Sequence, residues 1–192
     1  MPGATSQLVL KWTRPMYKII YADPPWSYRD KAHSGQRGVE YKYPTMTLAD
    51  IKALPIASIA APDCLLAMWW VNPQAAEALE VVEAWGFKLK LMHGFVWHKV
   101  TSTRKDFFGM GNYTRGNAEC CLFGVRGKPK RVSASVRQVI HAPNRQHSQK
   151  PDEARDRLVE LMGNVPRVEL FARQSFPGWD CWGNQVESTI AL

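Results

Sequence analysis

Four consecutive residues, Asp23-Pro24-Pro25-Trp26, set a carboxylate, a rigid backbone and an aromatic ring directly after the apolar, β-branched run Lys18-Ile19-Ile20-Tyr21-Ala22. That run reads as a buried strand halted by the prolines. In open α/β sheets the loops at the carboxyl ends of strands line the ligand crevice, so a functional carboxylate belongs here. Two prolines fix the backbone and remove two N–H donors, which leaves the Asp23 carboxylate and the Pro24 carbonyl as acceptors for a ligand. With Trp26 as a flat platform, the tetrapeptide suits an exocyclic amino group on a base. A strand-terminating turn with a core tryptophan is the plainer reading, and the tetrapeptide alone leaves both open.

Other familiar chemistry is missing. The sequence contains no G-x-x-x-x-G-K-[ST], H-E-x-x-H or G-x-S-x-G, and no Pro-Cys pair of the kind that methylates cytosine carbon. Gly109-Met110-Gly111 lacks the third glycine of a dinucleotide fingerprint. The histidines 33, 93, 98, 141 and 147 have no metal-ligand spacing. Cys64, Cys120, Cys121 and Cys181 form no Cys-x-x-Cys pair, which points away from structural zinc and disulfides and suits a reducing cytoplasm.

The elements that would position Asp23 follow from pattern. Cys64 to Val71 is a second continuous apolar run, leading through Asn72-Pro73 into a helix from Gln74 to Trp85 with apolar residues at helical spacing. Gly94 to Lys99, Cys120 to Val125 and Arg167 to Phe171 read as further strands. Pro151 to Met162 reads as a helix, with proline in its first turn, Asp152 and Glu153 at its positive end and Gly163 closing it. Strands alternating with helices predict an α/β sheet covered on both faces.

At 192 residues, 45% hydrophobic and 22% charged, the chain reads as one globular domain over 1–192, with residues 1–16 a loosely held terminus. No apolar run is long enough to span a membrane, and no targeting segment stands at the start, so a cytoplasmic protein is expected. Lysine and arginine exceed aspartate and glutamate by 25 − 17 = 8, which favours an anionic partner. Three polar, glycine-containing stretches, 29–43, 101–117 and 126–137, read as surface loops that carry much of this charge. The third holds Arg126, Lys128, Lys130, Arg131 and Arg137 without an acidic residue, and reads as either a phosphate-contacting strip or a solvated loop.

Taken together the motifs resemble those of the Asp-Pro-Pro-Trp adenine-N6 methyltransferases, the family of the messenger-RNA N6-adenosine methyltransferase catalytic subunit, in its small bacterial or phage form. The resemblance runs from Lys18 to Gln185. After Asp23-Pro24-Pro25-Trp26 it includes Tyr43-Pro44-Thr45-Met46, Met68 to Val71, Trp97-His98-Lys99, Asn117 to Gly127, His147 to Glu153, Glu169 to Arg173 and Gly183-Asn184-Gln185.

That resemblance implies a Rossmann-like, mostly parallel sheet in permuted order, with the catalytic loop near the amino end and much of the S-adenosylmethionine site near the carboxyl end. It implies catalysis by Asp23, Pro24, Pro25 and Trp26. The cofactor would be held by Asp23, Lys150, Phe171, Arg173, Gln174, Ser175, Asn184 and Gln185. The target nucleotide would be surrounded by Tyr43, Trp70, Trp97, Lys99, Arg115, Glu119 and Ser148. Two departures stand out. About 17 residues precede the catalytic strand, where larger relatives carry cofactor contacts, and Gln174 to Gly178 is shorter than the eukaryotic pattern. The implied reaction is methyl transfer to the adenine amino group in nucleic acid, DNA ahead of RNA, in a relaxed sequence context. A non-catalytic, basic nucleic-acid-binding subunit on the same fold is the competing reading, and the intact tetrapeptide argues against it. Monomer and homodimer are both open.

Overall fold

The structure is a computed structural model, and residues 16–27, 45–109, 111, 113–145 and 149–192 are described. Seven strands form one sheet: β1 (Tyr17–Ala22), β2 (Ala60–Trp70), β3 (Lys88–Val100), β4 (Ala118–Arg126), β5 (Val139–Pro143), β6 (Arg167–Leu170) and β7 (Asp180–Trp182). Three helices accompany them: α1 (Leu48–Ala53), α2 (Ala75–Ala84) and α3 (Glu153–Met162). The strand order is β5-β3-β4-β2-β1-β6-β7. The β1/β2, β1/β6, β6/β7 and β3/β5 pairs are parallel, and only those made by β4 are antiparallel.

Period-two side-chain alternation divides each buried strand between two cores. Ile20 and Ala22 of β1 join Leu66, Met68 and Leu122 beneath Ile51 of α1 and Ala78, Val81 and Val82 of α2. Ile19 and Tyr21 face the other way, with Leu65, Trp69 and Cys121, beneath Ala154, Leu158 and Met162 of α3. Helices on both faces explain why β1 and β2 are apolar at nearly every position. The three fully buried indoles keep their N–H groups satisfied: Trp69 donates to the Tyr21 hydroxyl, Trp85 to the Ile51 carbonyl and Trp97 to the Ala142 carbonyl.

The expected α/β architecture is therefore present, and its differences are local. β3 begins at Lys88 rather than Gly94, and the register against β4 shifts between Leu89 and Phe95. Pro151 and Asp152 precede α3, and Phe171 lies beyond β6 with φ +60. Three short elements escaped the pattern reading. α1 is six residues capped by the Thr47 hydroxyl, which accepts from the Asp50 amide. β5 alternates buried and exposed residues, and β7 has three residues.

One end of this sheet gathers the chain's reactive groups. Because β1, β2, β6 and β7 run together, Asp23, Val71, Phe171 and Gly183 all emerge at the same edge, and β4 enters there at Ala118. The basic stretch 126–137 leaves from the other edge, since Arg126 pairs with Cys64 while Cys120 pairs with Trp70. Six strand residues at about 3.3 Å each put roughly 20 Å between the two ends. Arg126 donates to the Ala57 and Ala60 carbonyls, and the Lys128 amide to Asp63, so the strip is tied to the far end. The 126–137 strip, read as either a phosphate-contacting strip or a solvated loop, therefore lies at the end of the sheet opposite the catalytic loop, because β4 runs antiparallel to β2.

Candidate active site

At the carboxyl edge lies a cavity of about 470 Å³ lined by Asp23, Pro24, Pro25, Trp26, Trp70, Glu119, Lys150, Phe171, Arg173, Asn184 and Gln185, among others. The volume is that of a small-molecule site. Its floor is the Asp-Pro-Pro-Trp loop, held by its own backbone: the Trp26 amide donates to the Pro24 carbonyl at 2.8 Å, closing a three-residue turn around Pro25. The Met46 amide donates to the Pro25 carbonyl, and Gln74 donates to the Ser27 carbonyl. The Pro24 carbonyl thus has one lone pair engaged and one remaining.

A chain of alternating charges crosses the cavity wall. Lys150 Nζ lies 2.9 Å from Asp23 Oδ2 and 3.2 Å from Glu119 Oε2, and Lys99 Nζ lies 2.5 Å from Glu119 Oε1. Burial by itself would lower the Lys150 pKa, but the Asp23 and Glu119 carboxylates outweigh it and hold the ammonium above the ordinary lysine range. Burial would raise Glu119, and the Lys150 and Lys99 ammonium groups outweigh it and hold its carboxyl below the usual range. Lys150 and Glu119 are therefore both charged near neutrality. Among the described residues, Asp23 Oδ1 has no partner.

A second, buried pair fixes the frame. Arg155 of α3 grips Glu169 of β6 through Nε at 2.6 Å and Nη2 at 2.9 Å. It also bonds Asp152 and lies 3.5 Å from the Phe176 ring centroid. This joins the helix that follows Lys150 to the strand that precedes Phe171. Burial raises Glu169 above the usual carboxylate range despite the guanidinium.

The structure brings most of the expected residues together, with exceptions that have physical causes. Trp97 is fully buried, its ring on the α3 side of the sheet and its N–H on the Ala142 carbonyl, so it is a core residue and not a substrate contact. Trp26 is 5% exposed and donates to the Trp69 carbonyl, so it anchors the loop and leaves the exposed aromatic wall to Trp70. Gln174 and Ser175 are exposed beyond the cavity lining, because the chain turns away after Arg173. Lys99 reaches the site only through Glu119, and Arg115 stands outside on the β3–β4 connection. Tyr43 and Ser148, with the rest of 29–43, lie outside the described residues. The cavity also takes in Met46, Trp69, Asn72, Pro73 and Trp182, whose only sequence signal was adjacency to a strand end or a matched motif.

The lining also fits an adenosyl cofactor. The Asn184 and Gln185 side-chain amides have no partner among the described residues and offer donors and acceptors to ribose hydroxyls and a purine edge. Phe171 and Trp182 supply apolar surface 5.5 Å apart. A Cβ at Gly183 would stand 2.2 Å from the Ala172 carbonyl oxygen, so only glycine lets this turn lie against the Phe171 turn.

The family model MT-A70 matches residues 17–185. The chain belongs to the MT-A70 family. As an MT-A70 member it is an adenine-N6 methyltransferase with the Rossmann-like fold of such enzymes. It is 34% identical to the Type II methyltransferase M.MunI of Mycoplasma sp, over 90% of this chain and 79% of that protein. It is 32% identical to the N6-methyladenosine RNA methyltransferase MTA1 of Pyricularia oryzae, over 95% of this chain and 50% of that one. With the N(6)-adenine-specific methyltransferase METTL4 of Mus musculus the identity is 26%, over 88% of this chain and 37% of that one. This MT-A70 chain therefore spans half or less of these two eukaryotic relatives. Among its described residues no helix is long and apolar enough to cross a membrane, and no His, Cys, Asp and Glu cluster could hold a metal ion.

Proposed function

We propose that this enzyme methylates the N6 amino group of adenine in DNA in a relaxed sequence context, with S-adenosylmethionine as methyl donor. The observation that carries the reading is the pairing of two acceptors on one rigid loop. Asp23 has Oδ2 held by Lys150 and Oδ1 open, and the Pro24 carbonyl has a lone pair to spare. When bound, S-adenosylmethionine supplies an electrophilic methyl group, and Phe171, Arg173, Asn184 and Gln185 are the residues that would hold it, with Asp23 at the boundary between cofactor and base.

The adenine amino nitrogen is a poor nucleophile because its lone pair is delocalised into the ring. Accepting both its hydrogens at Asp23 Oδ1 and the Pro24 oxygen favours a pyramidal nitrogen and restores that lone pair. As positive charge builds on the nitrogen, the Asp23 carboxylate stabilises it more than the neutral ground state, an effect that a partly desolvated site enlarges. Lys150 keeps Asp23 oriented, and Glu119 holds Lys150 in place. Trp70 gives the extruded base an aromatic wall, at an unstacking cost of a few kcal/mol that is lowest for unpaired adenine. After transfer the surplus proton leaves to Asp23 or water.

The similarity to a Type II methyltransferase over most of that protein's length puts DNA first. RNA is the second reading, favoured by the 32% identity to an RNA methyltransferase. Incubation with labelled S-adenosylmethionine and matched DNA and RNA oligomers, followed by nucleoside analysis, separates them. N6-methyladenine in DNA is expected, and strong RNA methylation beside silent DNA would reverse the choice.

A further inference from the structure

The β3–β4 connection, residues 101–117, stands at the cavity mouth because the next two residues, Ala118 and Glu119, line the cavity itself. Its first half folds back on β3: the Thr101 amide donates to the Lys105 carbonyl, the Phe107 amide to the Lys99 carbonyl, and Asp106 lies 2.9 Å from His98. Its second half is closed by contact between backbones. A Cβ on Gly109 would lie 2.0 Å from the Gly116 carbonyl oxygen, and one on Gly111 equally near that of Thr114. The Gly-x-Gly that fails as a dinucleotide fingerprint is thus what lets the arms meet.

The described residues of this excursion display exposed rings and cations that make no ion pair among the described residues. Phe108 is 76% exposed and Tyr113 entirely so, the two most exposed large apolar side chains among the described residues. The Arg115 guanidinium lies 5.1 Å from the Phe108 ring centroid. Arg104, Lys105 and Arg115 have no carboxylate partner among the described residues. The single acidic residue of the segment, Asp106, is taken by His98. Exposed rings interleaved with uncommitted cations are what an unpaired nucleic-acid strand recognises: rings stack on bases, and cations meet phosphates. A protein partner without carboxylates facing these cations would cover the rings but leave three like charges buried without counterions.

We infer that Phe108 and Tyr113 form a stacking platform for unpaired bases flanking the target adenine, with Arg104, Lys105 and Arg115 on the adjoining phosphates. The inference rests on the nucleic-acid reading of the cavity and adds to it the preferred form, a locally single-stranded substrate held at its flanks.

The test is fluorescence anisotropy with a short DNA strand bearing one central adenine, and with the same strand carrying abasic sites on either side. Phe108→Ala and Tyr113→Ala should each weaken the intact strand by about 5- to 100-fold, the scale of one lost base stack. Phe108→Tyr and Tyr113→Phe should retain binding, and abasic flanks should abolish the difference between variant and parent. Arg115→Ala should lower the log–log salt slope by about 0.7 whatever the flanks. Alanine variants that bind as tightly as the parent, or lose the same factor on abasic strands, overturn the platform. So does a parent dimer in light scattering that the alanine variants dissolve while binding stays unchanged. Binding is read without turnover, so a chain that shows this pattern yet transfers no methyl group refutes the catalytic reading and leaves the platform standing.

Discussion

Replacing Arg155 with methionine isolates the buried frame behind the site. In the parent, Arg155 makes two short bonds to Glu169 and one to Asp152, with side-chain exposures of 7% for Arg155 and 10% for Glu169. Methionine keeps part of the packing against Phe176 and Tyr21 but leaves the Glu169 charge buried and unpaired. Removing one partner of such a pair costs about 3 to 5 kcal/mol. At about 2 to 4 °C per kcal/mol for a chain of this size, the melting temperature should fall by roughly 6 to 20 °C. The pH dependence supplies a second sign. Burial already raises Glu169 in the folded state, and loss of Arg155 raises it further, so the native state binds a proton that the unfolded state releases. The penalty should therefore be largest at pH 7 and above, and shrink as pH falls toward the folded-state value. Arg155→Met/Glu169→Leu, which removes both charges, should recover most of the loss. Thermal melts from pH 5 to 8 measure all of this. A single variant less than about 1 kcal/mol weaker, a penalty that grows with acid, or a double variant no better than the single would refute the reasoning.

Lys150→Met should reduce methyl transfer by at least about a hundredfold, the scale of losing one preorganised electrostatic contact. In the parent, Glu119 contributes stability above its unfolded value, lost only as pH falls through its lowered folded one; in Lys150→Met only Lys99 still opposes burial, so acid unfolding should begin at higher pH. Gly183→Ala should weaken S-adenosylhomocysteine binding in calorimetry, because the new methyl meets the Ala172 carbonyl oxygen. Trp97→Phe should lower the melting temperature through its lost bond to Ala142 while leaving oligonucleotide affinity unchanged, as suits a core residue.

What was legible in the sequence follows from how each element is stabilised. β1 and β2 are near-continuous apolar runs and α2 carries apolar residues at helical spacing, so their patterns announce them, and Asp23 inherits its place from the strand before it. α1, β5 and β7 are short and held by tertiary contact, so no local period marks them. Matched motifs brought Asn184, Gln185, Glu119 and Lys150 to one cavity although they come from distant stretches of chain. The same motifs misplaced Trp97, because a motif fixes a position in sequence and not the face of the sheet on which a ring falls. Strand direction, set by long-range pairing, likewise carried the 126–137 strip to the far end. The Lys99–Glu119–Lys150–Asp23 chain had no signal as a network, since it depends on a helix entry meeting the ends of β1, β3 and β4.

The central claim is that Asp23 and the Pro24 carbonyl activate an adenine amino group for methylation. Its most direct measurement is N6-methyladenine formation from labelled S-adenosylmethionine on an unpaired DNA oligomer, comparing the parent with Asp23→Ala after both are shown to melt alike. The account predicts methylated adenine with the parent and a loss of at least about a hundredfold in the variant. Near-normal methylation by Asp23→Ala would contradict it.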